Sequence, residues 1–435
     1  MMILVSTVIA CGDDDPEVTP TPNPETITEI AAADARFSTL VGALSRVGLD
    51  ATLDGTGTFT VFAPTDAAFA AAGINLDDLS DQELTNVLLY HVLGNEVPSS
   101  AITAGKSYAG TLNETGPGNA ALSILIEAGN QVVINNNATV EQADVEATNG
   151  VIHVINRVLL PLDVVDHAIA NTDLQTLTGA LGDASGDLVN VLKGDGPFTV
   201  FAPVNSGFDN VPSNLSADDL RDVLLYHVLA GSAVLSTDLA DGNNYVNTAS
   251  TSGPGNTALT VLVKSQGSGV SINDAANVTV ANIVGTNGII HVIDQVYTPL
   301  DIVGHAAINP DFSELVSALG AADGDLVSVL QGEGPFTVFA PINSAFDDIA
   351  DIVVNLSTSD LAGVLTYHVV EGNIQSSGLS NNQQVGTVNG QLFTVNIDNG
   401  TVTLTDANGG TSEVIRTDVQ ATNGVIHVLN AVVIP

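Results

Sequence analysis

Phe59-Thr60-Val61-Phe62-Ala63-Pro64 returns unchanged as Phe198–Pro203 and again as Phe336–Pro341, at spacings of 139 and 138 residues. Two further blocks keep the same order and period. Leu89-Tyr90-His91-Val92 returns as Leu225-Tyr226-His227-Val228 and as Thr366-Tyr367-His368-Val369. Asn149-Gly150-Val151-Ile152-His153-Val154 returns as Asn287–Val292 and as Asn423–Val428. A period this long is domain-sized, whereas solenoid repeats run about 20–45 residues, so each copy owns a core. The expected units are 26–161, 162–299 and 300–435.

Working outward from Phe59, the order of elements in one copy is legible. Phe37–Leu44 carries apolar residues at helical spacing. Phe59–Phe62 is β-branched and aromatic and stops at Pro64, as a strand does. Asp66–Phe69 opens a second helix, and Leu84, Val87, Leu88 and His91 place a third over Leu84–Leu93. Strand-like stretches follow at Leu122–Ile126, Val132–Ile134 and Val140–Val145. The last strand, Val151–Leu160, comes after an Asn-Gly turn. Helices first and strands later make an α+β module. No flexible linker separates the copies: Leu160-Pro161-Leu162-Asp163-Val164 passes from a last strand into a first helix, and Tyr297–Asp301 does the same. Modules joined so tightly form a stiff rod.

Hydrophobic residues make up 45% of the 435-residue chain but aromatics only 4%, with no Trp, so the cores rest on Val, Leu, Ile and Ala. Eight basic residues against 49 acidic ones give a formal charge of −41. Such a polyanion is repelled by phosphate backbones, which excludes nucleic acid as a partner. Anionic headgroups repel it too, so membrane attachment has to be covalent or hydrophobic. The acids are scattered, which suits solubility in a salty medium; divalent-cation binding is the sharper alternative.

Cys11 is the only cysteine, so no intrachain disulfide forms. It ends a short apolar run, Met1–Ala10, and Val8-Ile9-Ala10-Cys11 resembles a bacterial lipobox, in which the cysteine is lipidated and becomes the new N-terminus. Residues 1–11 therefore read as a lipoprotein-like signal segment with Cys11 as anchor, although no Lys or Arg precedes the apolar run. Residues 12–25, with Asp13–Asp15 and Pro16, Pro20, Pro22 and Pro24, read as an extended acidic linker.

The three recurring blocks resemble the fasciclin domain family, in which Thr-Val-Phe-Ala-Pro opens the module, Tyr-His sits mid-module and Asn-Gly-x-Ile-His-Val closes it. The resemblance implies three tandem modules, each a β-sandwich-like wedge with several packed helices. It also implies contact with proteins or glycans of other cells or the matrix. In this family the Tyr-His pair has been linked both to adhesion and to holding the module together. That makes Tyr90, His91, Tyr226, His227, Tyr367 and His368 candidate binding residues, with burial on an apolar helix face as the structural reading. In animal members an acid just before the closing block is implicated in integrin binding. Asp144 and Asp418 stand at that position, Asn282 in the second copy, and here too a turn-bonding role is the plainer reading.

His153, His291 and His427 alternate with apolar residues in a strand apolar on both faces, as core residues do. His167 and His305 have Ile30 as their counterpart, which points to packing. No catalytic serine elbow, phosphate loop, HExxH or dinucleotide fingerprint occurs, so no enzyme is expected. Asp183–Asp187, Asp323–Asp325 and Asp406–Gly409 have a calcium-loop flavour without the full ligand spacing, and no cofactor is expected. The expected function is multivalent adhesion or binding from a bacterial cell surface or outer membrane. Its rivals are a secreted or periplasmic protein binding a hydrophobic small molecule or polymer, and a hydrolase whose two histidines per module converge in an open cleft.

Overall fold

The computed structural model describes residues 25–55, 57–267 and 269–435; the signal segment, Cys11 and all but the last residue of the linker lie outside the described residues. Each module carries seven strands. In the first they are β1 (Phe59–Pro64), β2 (Val92–Leu93), β3 (Gly105–Gly110), β4 (Ser123–Ala128), β5 (Val132–Ile134), β6 (Ala138–Ala147) and β7 (Gly150–Ile155). The second repeats them as β8 (Phe198–Pro203), β9 (Val228–Ala230), β10 (Gly242–Asn247), β11 (Thr260–Gln266), β12 (Gly269–Ile272), β13 (Ala276–Gly285) and β14 (Gly288–Ile293). The third has β15 (Phe336–Pro341), β16 (Val369–Glu371), β17 (Gln383–Gly386), β18 (Leu392–Asp398), β19 (Thr401–Thr405), β20 (Thr411–Ala421) and β21 (Gly424–Leu429).

The strand order in the first module is β2-β1-β7-β6-β5-β4-β3, and the other two follow it. Only β1 and β7 run parallel; the other neighbours are antiparallel. The long strand β6 is the hinge of this path: its early part pairs with β5 and its late part with β7, with register breaks between Val140 and Val145. The sheet therefore bends over itself. Its inner faces close on Phe62, Tyr90, Ile124, Ile126, Ile134 and Ile155. The outer face of β1 and β7 instead buries Val61, Ile152 and Val154 under helices that bring Ile27, Leu40, Leu44, Leu84 and Leu88. This is a wedge of helices, sheet and sheet. β7 lies inside the order and is buried along its whole length, as an apolar strand on both faces must be.

Two elements differ from their sequence reading. The mid-module helix spans Asp81–Leu89, and Val92-Leu93 leaves it to pair with β1, Val61 opposite Val92 and Thr60 opposite Leu93. Edge pairing with β1 overrides a helical pattern that ran four residues further. The closing strand stops at Ile155, and the stretch after it, with Val158 and Leu159 buried, packs as irregular chain.

The closing Asn-Gly does more than turn. Asn149 Oδ1 accepts from the N–H of Ile27 (3.0 Å), the first residue of the module's opening helix Ile27–Ala33. Asn287 and Asn423 treat Val164 and Ile302 identically, at 3.1 and 3.0 Å, at the heads of helices Val164–Ala170 and Ile302–Ile308. One side chain thus satisfies a helix-terminal donor that would otherwise be unpaired.

Candidate functional site

The Tyr-His pair ends its helix by substitution. At His91 the backbone leaves the helix, and the ring Nδ1–H donates to the carbonyl of Val87 (2.7 Å), a bond the next helical N–H would have made. Nε2 then accepts from the N–H of Leu159 (2.8 Å), tying the helix to the chain that leaves the module. His227 bonds Val223 O and Tyr297 N, and His368 bonds Val364 O and Val433 N, in the same roles. Burial lowers the pKa of all three from 6.5 to about 4, against the raising effect of the carbonyl bond. Tyr90 is fully buried, donates to Ser123 O (2.8 Å) and accepts from Asn135 Nδ2 (3.2 Å). Tyr226 uses Thr260 O and Asn273 in the same way, and Tyr367 donates to Leu392 O. Sequence reasoning did not single out Asn135 and Asn273; their signal was an Asn-Asn or Asn-Asp pair at a tight turn between two strands. None of the six Tyr-His side chains presents a surface to a partner.

The closing-strand histidines carry the opposite tautomer. His153 Nε2–H donates to Val97 O (2.9 Å), and Nδ1 accepts from the N–H of Asp144 (3.3 Å). Asp144 occupies the register break of β6 with φ +56°, a left-handed conformation that Asn and Asp tolerate best. Its carboxylate accepts from the Ser99 N–H (2.7 Å) and from the Ser99 hydroxyl. Those two bonds hold its carboxyl below the usual range. Asp418 accepts the same two bonds from Ser376 at φ +60°, while Asn282 at φ +62° accepts from the Ser236 N–H and donates its Nδ2–H to the Ser236 hydroxyl. The position therefore needs a side-chain oxygen and a left-handed backbone, and Asn supplies both without the charge. Both ring nitrogens of all six histidines of these two sets meet backbone groups in buried sites, so they do not form the open, convergent pair that a histidine-based hydrolase requires.

The residues that assemble the array are elsewhere. At the first joint Tyr108 of β3 accepts from Asn171 Nδ2 (3.1 Å) and its ring lies 6.1 Å from that of His167. Lys106 pairs with Asp173 (2.7 Å), and Val284 N–H of β13 donates to Ser123 Oγ of β4 (3.0 Å). The second joint repeats the plan. Tyr245 of β10 accepts from Asn309 (2.9 Å), its ring is 6.2 Å from that of His305, and Gln420 N–H of β20 donates to Thr260 Oγ1 of β11 (2.9 Å). Arg416 adds a guanidinium 4.9 Å over the Tyr245 ring. The packing is continuous across the joints, since Val284 and Ile289 belong to the inner core of the first module.

Hollows differ in kind. Equivalent apolar cavities lie under the helices of the second and third modules, lined by Leu177, Leu224 and His227 and by Leu315, Leu365 and His368; each holds about 20 Å³. A hollow of about 360 Å³ beside β11 and β12 is lined by Lys264, Ser271, Asp274 and Asn277. Among the described residues no group of three or more His, Cys, Asp or Glu is placed to hold a metal ion, and no helix is long and apolar enough to cross a membrane.

The Fasciclin domain family model matches residues 35–161, 172–299 and 310–435. Human periostin is 27% identical over 410 residues, covering 88% of this chain and 44% of periostin. Transforming growth factor-beta-induced protein ig-h3 of Sus scrofa is 29% identical over 425 residues, covering 94% of this chain and 57% of that protein. The chain thus spans about half the length of these relatives. Among solved structures, a FAS1 domain pair from the insect cell adhesion molecule Fasciclin I matches with TM-score 0.39 and 20% identity, covering 60% of this chain and 97% of that one. The chain belongs to the fasciclin domain family and carries three of its modules in tandem.

Proposed function

We propose that this protein is a surface-anchored, multivalent adhesion or binding protein that contacts proteins or glycans of cells or matrix through its three modules. The observation that carries this reading is the repeated joint. Tyr108–Asn171 and Tyr245–Asn309 set successive modules against each other in the same way, so three like surfaces are offered at a regular interval. Fixed repetition raises avidity through effective concentration without strong single contacts, typically by about 10²–10⁴-fold. The motif histidines and tyrosines act inside the modules, which leaves binding to exposed loops and strands. Anchoring is assigned to lipid on Cys11, with residues 12–25 as the spacer; a Cys11→Ala variant that still partitions with membranes would overturn that assignment.

The rival, a carrier of a hydrophobic small molecule or polymer, needs a pocket of about 300–1,000 Å³ with mostly apolar walls. The apolar cavities under the helices, at about 20 Å³ each, favour adhesion over that reading, and the larger hollow in the second module is polar. The test is a binding screen of the full chain against intact cells, matrix proteins and printed glycans, with and without calcium. Binding to cells or matrix is expected. Failure to bind any of them, together with retention of an apolar molecule through purification, would overturn the proposal.

A further inference from the structure

His167 and His305 are the two buried histidines that the module folds do not use. They are 1% and 0% exposed, and neither ring nitrogen of either one has a hydrogen-bond partner. Burying such a group unpaired costs about 1–3 kcal/mol, so its presence calls for a reason. The pattern of occurrence supplies one. Histidine stands at this position where a preceding module brings a tyrosine against it, Tyr108 at the first joint and Tyr245 at the second. In the first module the position is Ile30, on a face no described module covers. In the third module the tyrosine position, opposite Thr394 in β18 as Tyr245 is opposite Leu262 in β11, is Gln384. The Tyr-His pair therefore belongs to the joints.

We propose that the two inter-module joints are acid-responsive: protonation of His167 and His305 opens them, so that an array held in fixed register at neutral pH becomes articulated in acid. In the closed joint neither ring makes a hydrogen bond that would hold an imidazolium. Around His167 the ionisable groups are Tyr108, the Lys106–Asp173 ion pair, and Asp166 on its own helix, whose carboxylate is held by Lys193 at 2.5 Å. Of the other elements packed against that helix, β8, β13 and helix Leu188–Leu192 carry no ionisable residue, β14 only His291, and helix Gln175–Asp183 only its last residue. Around His305 they are Tyr245, the Arg416 cation over that ring, Asp311, which accepts from Asn243, Asp301 capping its helix, and the Lys264–Asp274 ion pair, whose ammonium donates to the Ile308 carbonyl of that helix. Helix Ser313–Ala321 adds Glu314 and β21 adds His427, while helix Leu326–Leu330 has none. Burial lowers both histidines from 6.5 to about 4; at His167 the Val284 carbonyl and Asp166 pull the other way, without a completed bond from the carbonyl to the ring. An opened joint restores the ordinary value. The closed form is thus fully favoured above pH 6.5 and loses ground as pH falls from there toward 4.

The test is amide hydrogen exchange of the full chain at pH 7 and pH 5, corrected for intrinsic rates, reading the joint amides Val284 and Gln420. Their opening equilibrium is expected to rise about 20-fold at pH 5 in the parent protein. It is expected to stay flat in His167→Ile/His305→Ile, which carries the residue the first module already has there. The single variant His305→Ile must keep the response at Val284 and lose it at Gln420, and the interior amide of Phe62 must behave alike in all three proteins. Equal pH responses of parent and double variant at the joint amides would overturn the proposal.

Discussion

Within one module the two histidines divide the available chemistry: His91 donates from Nδ1 and accepts at Nε2, and His153 does the reverse. Protonation of His91 would turn its accepting Nε2 into a donor facing the N–H of Leu159. For His91, His227 and His368, which burial holds at about 4, the cation is disfavoured in the folded state. The unfolded chain then binds more protons between pH 6.5 and 4, and stability falls with pH across that window. Urea denaturation at pH 7 and pH 5 is expected to show a lower midpoint at pH 5, with a slope of up to about 1.4 kcal/mol per pH unit for each histidine. A pH-independent midpoint would contradict the assigned tautomers. His91→Ala removes two buried bonds and is expected to cost about 2–4 kcal/mol by the same measurement. At Asp144 the second module has already run the experiment with Asn282. Asp144→Asn is expected to stay within about 0.5 kcal/mol of the parent, while Asp144→Ala loses both Ser99 bonds and costs about 2 kcal/mol. Equal losses in the two variants would show that the oxygen is not what the position needs.

At the scale of elements, the sequence was most informative where periodicity and packing agree. Alternation in Val151–Ile155 places Val151, His153 and Ile155 on one face and Ile152 and Val154 on the other, and the cores separate Ile155 from Ile152 and Val154 in that way. It was least informative where a tertiary partner decides. The helical spacing through His91 could not announce that Val92-Leu93 pairs with β1, because the pairing residues are some thirty positions away. The bend of β6 was hidden for a related reason: a residue at φ +56° leaves no periodic trace beyond an Asp or Asn. Gly150 is the clearest local constraint. It sits at φ +146°, and a Cβ there would lie 2.0 Å from the carbonyl oxygen of Phe59 on the parallel neighbour β1. Gly150→Ala is therefore expected to cost about 3 kcal/mol or more by forcing the β1–β7 pair apart. Gly73→Ala, at a left-handed helix end with open space, is the control and should cost about 1–2 kcal/mol. Similar losses would mean that β1 and β7 have room to separate.

For the whole molecule, the repeat and its period were legible in the sequence, and the joints were not. Tyr108, Asn171 and Val284 come from distant parts of two modules, and a single-module reading of His167 could see only that Ile30 replaces it. The outer faces differ from the joints in the residues that matter. Glu146 stands at the position of Val284 and Gln420, and Leu392 stands where Ser123 and Thr260 offer a hydroxyl. Leu392 offers no hydroxyl to the N–H of Glu146, so the two outer faces cannot repeat the joint hydrogen bond with each other, and light scattering is expected to show no head-to-tail association of the chain. Concentration-dependent growth in mass would show that copies add end to end. The proposed function requires the three modules to act together on one surface. The direct measurement is retention of the full chain on cells, matrix proteins or glycans identified by the binding screen and presented at graded density. Apparent affinity is expected to rise about 10²–10⁴-fold as ligand spacing falls within reach of neighbouring modules. An affinity that does not change with density would contradict it.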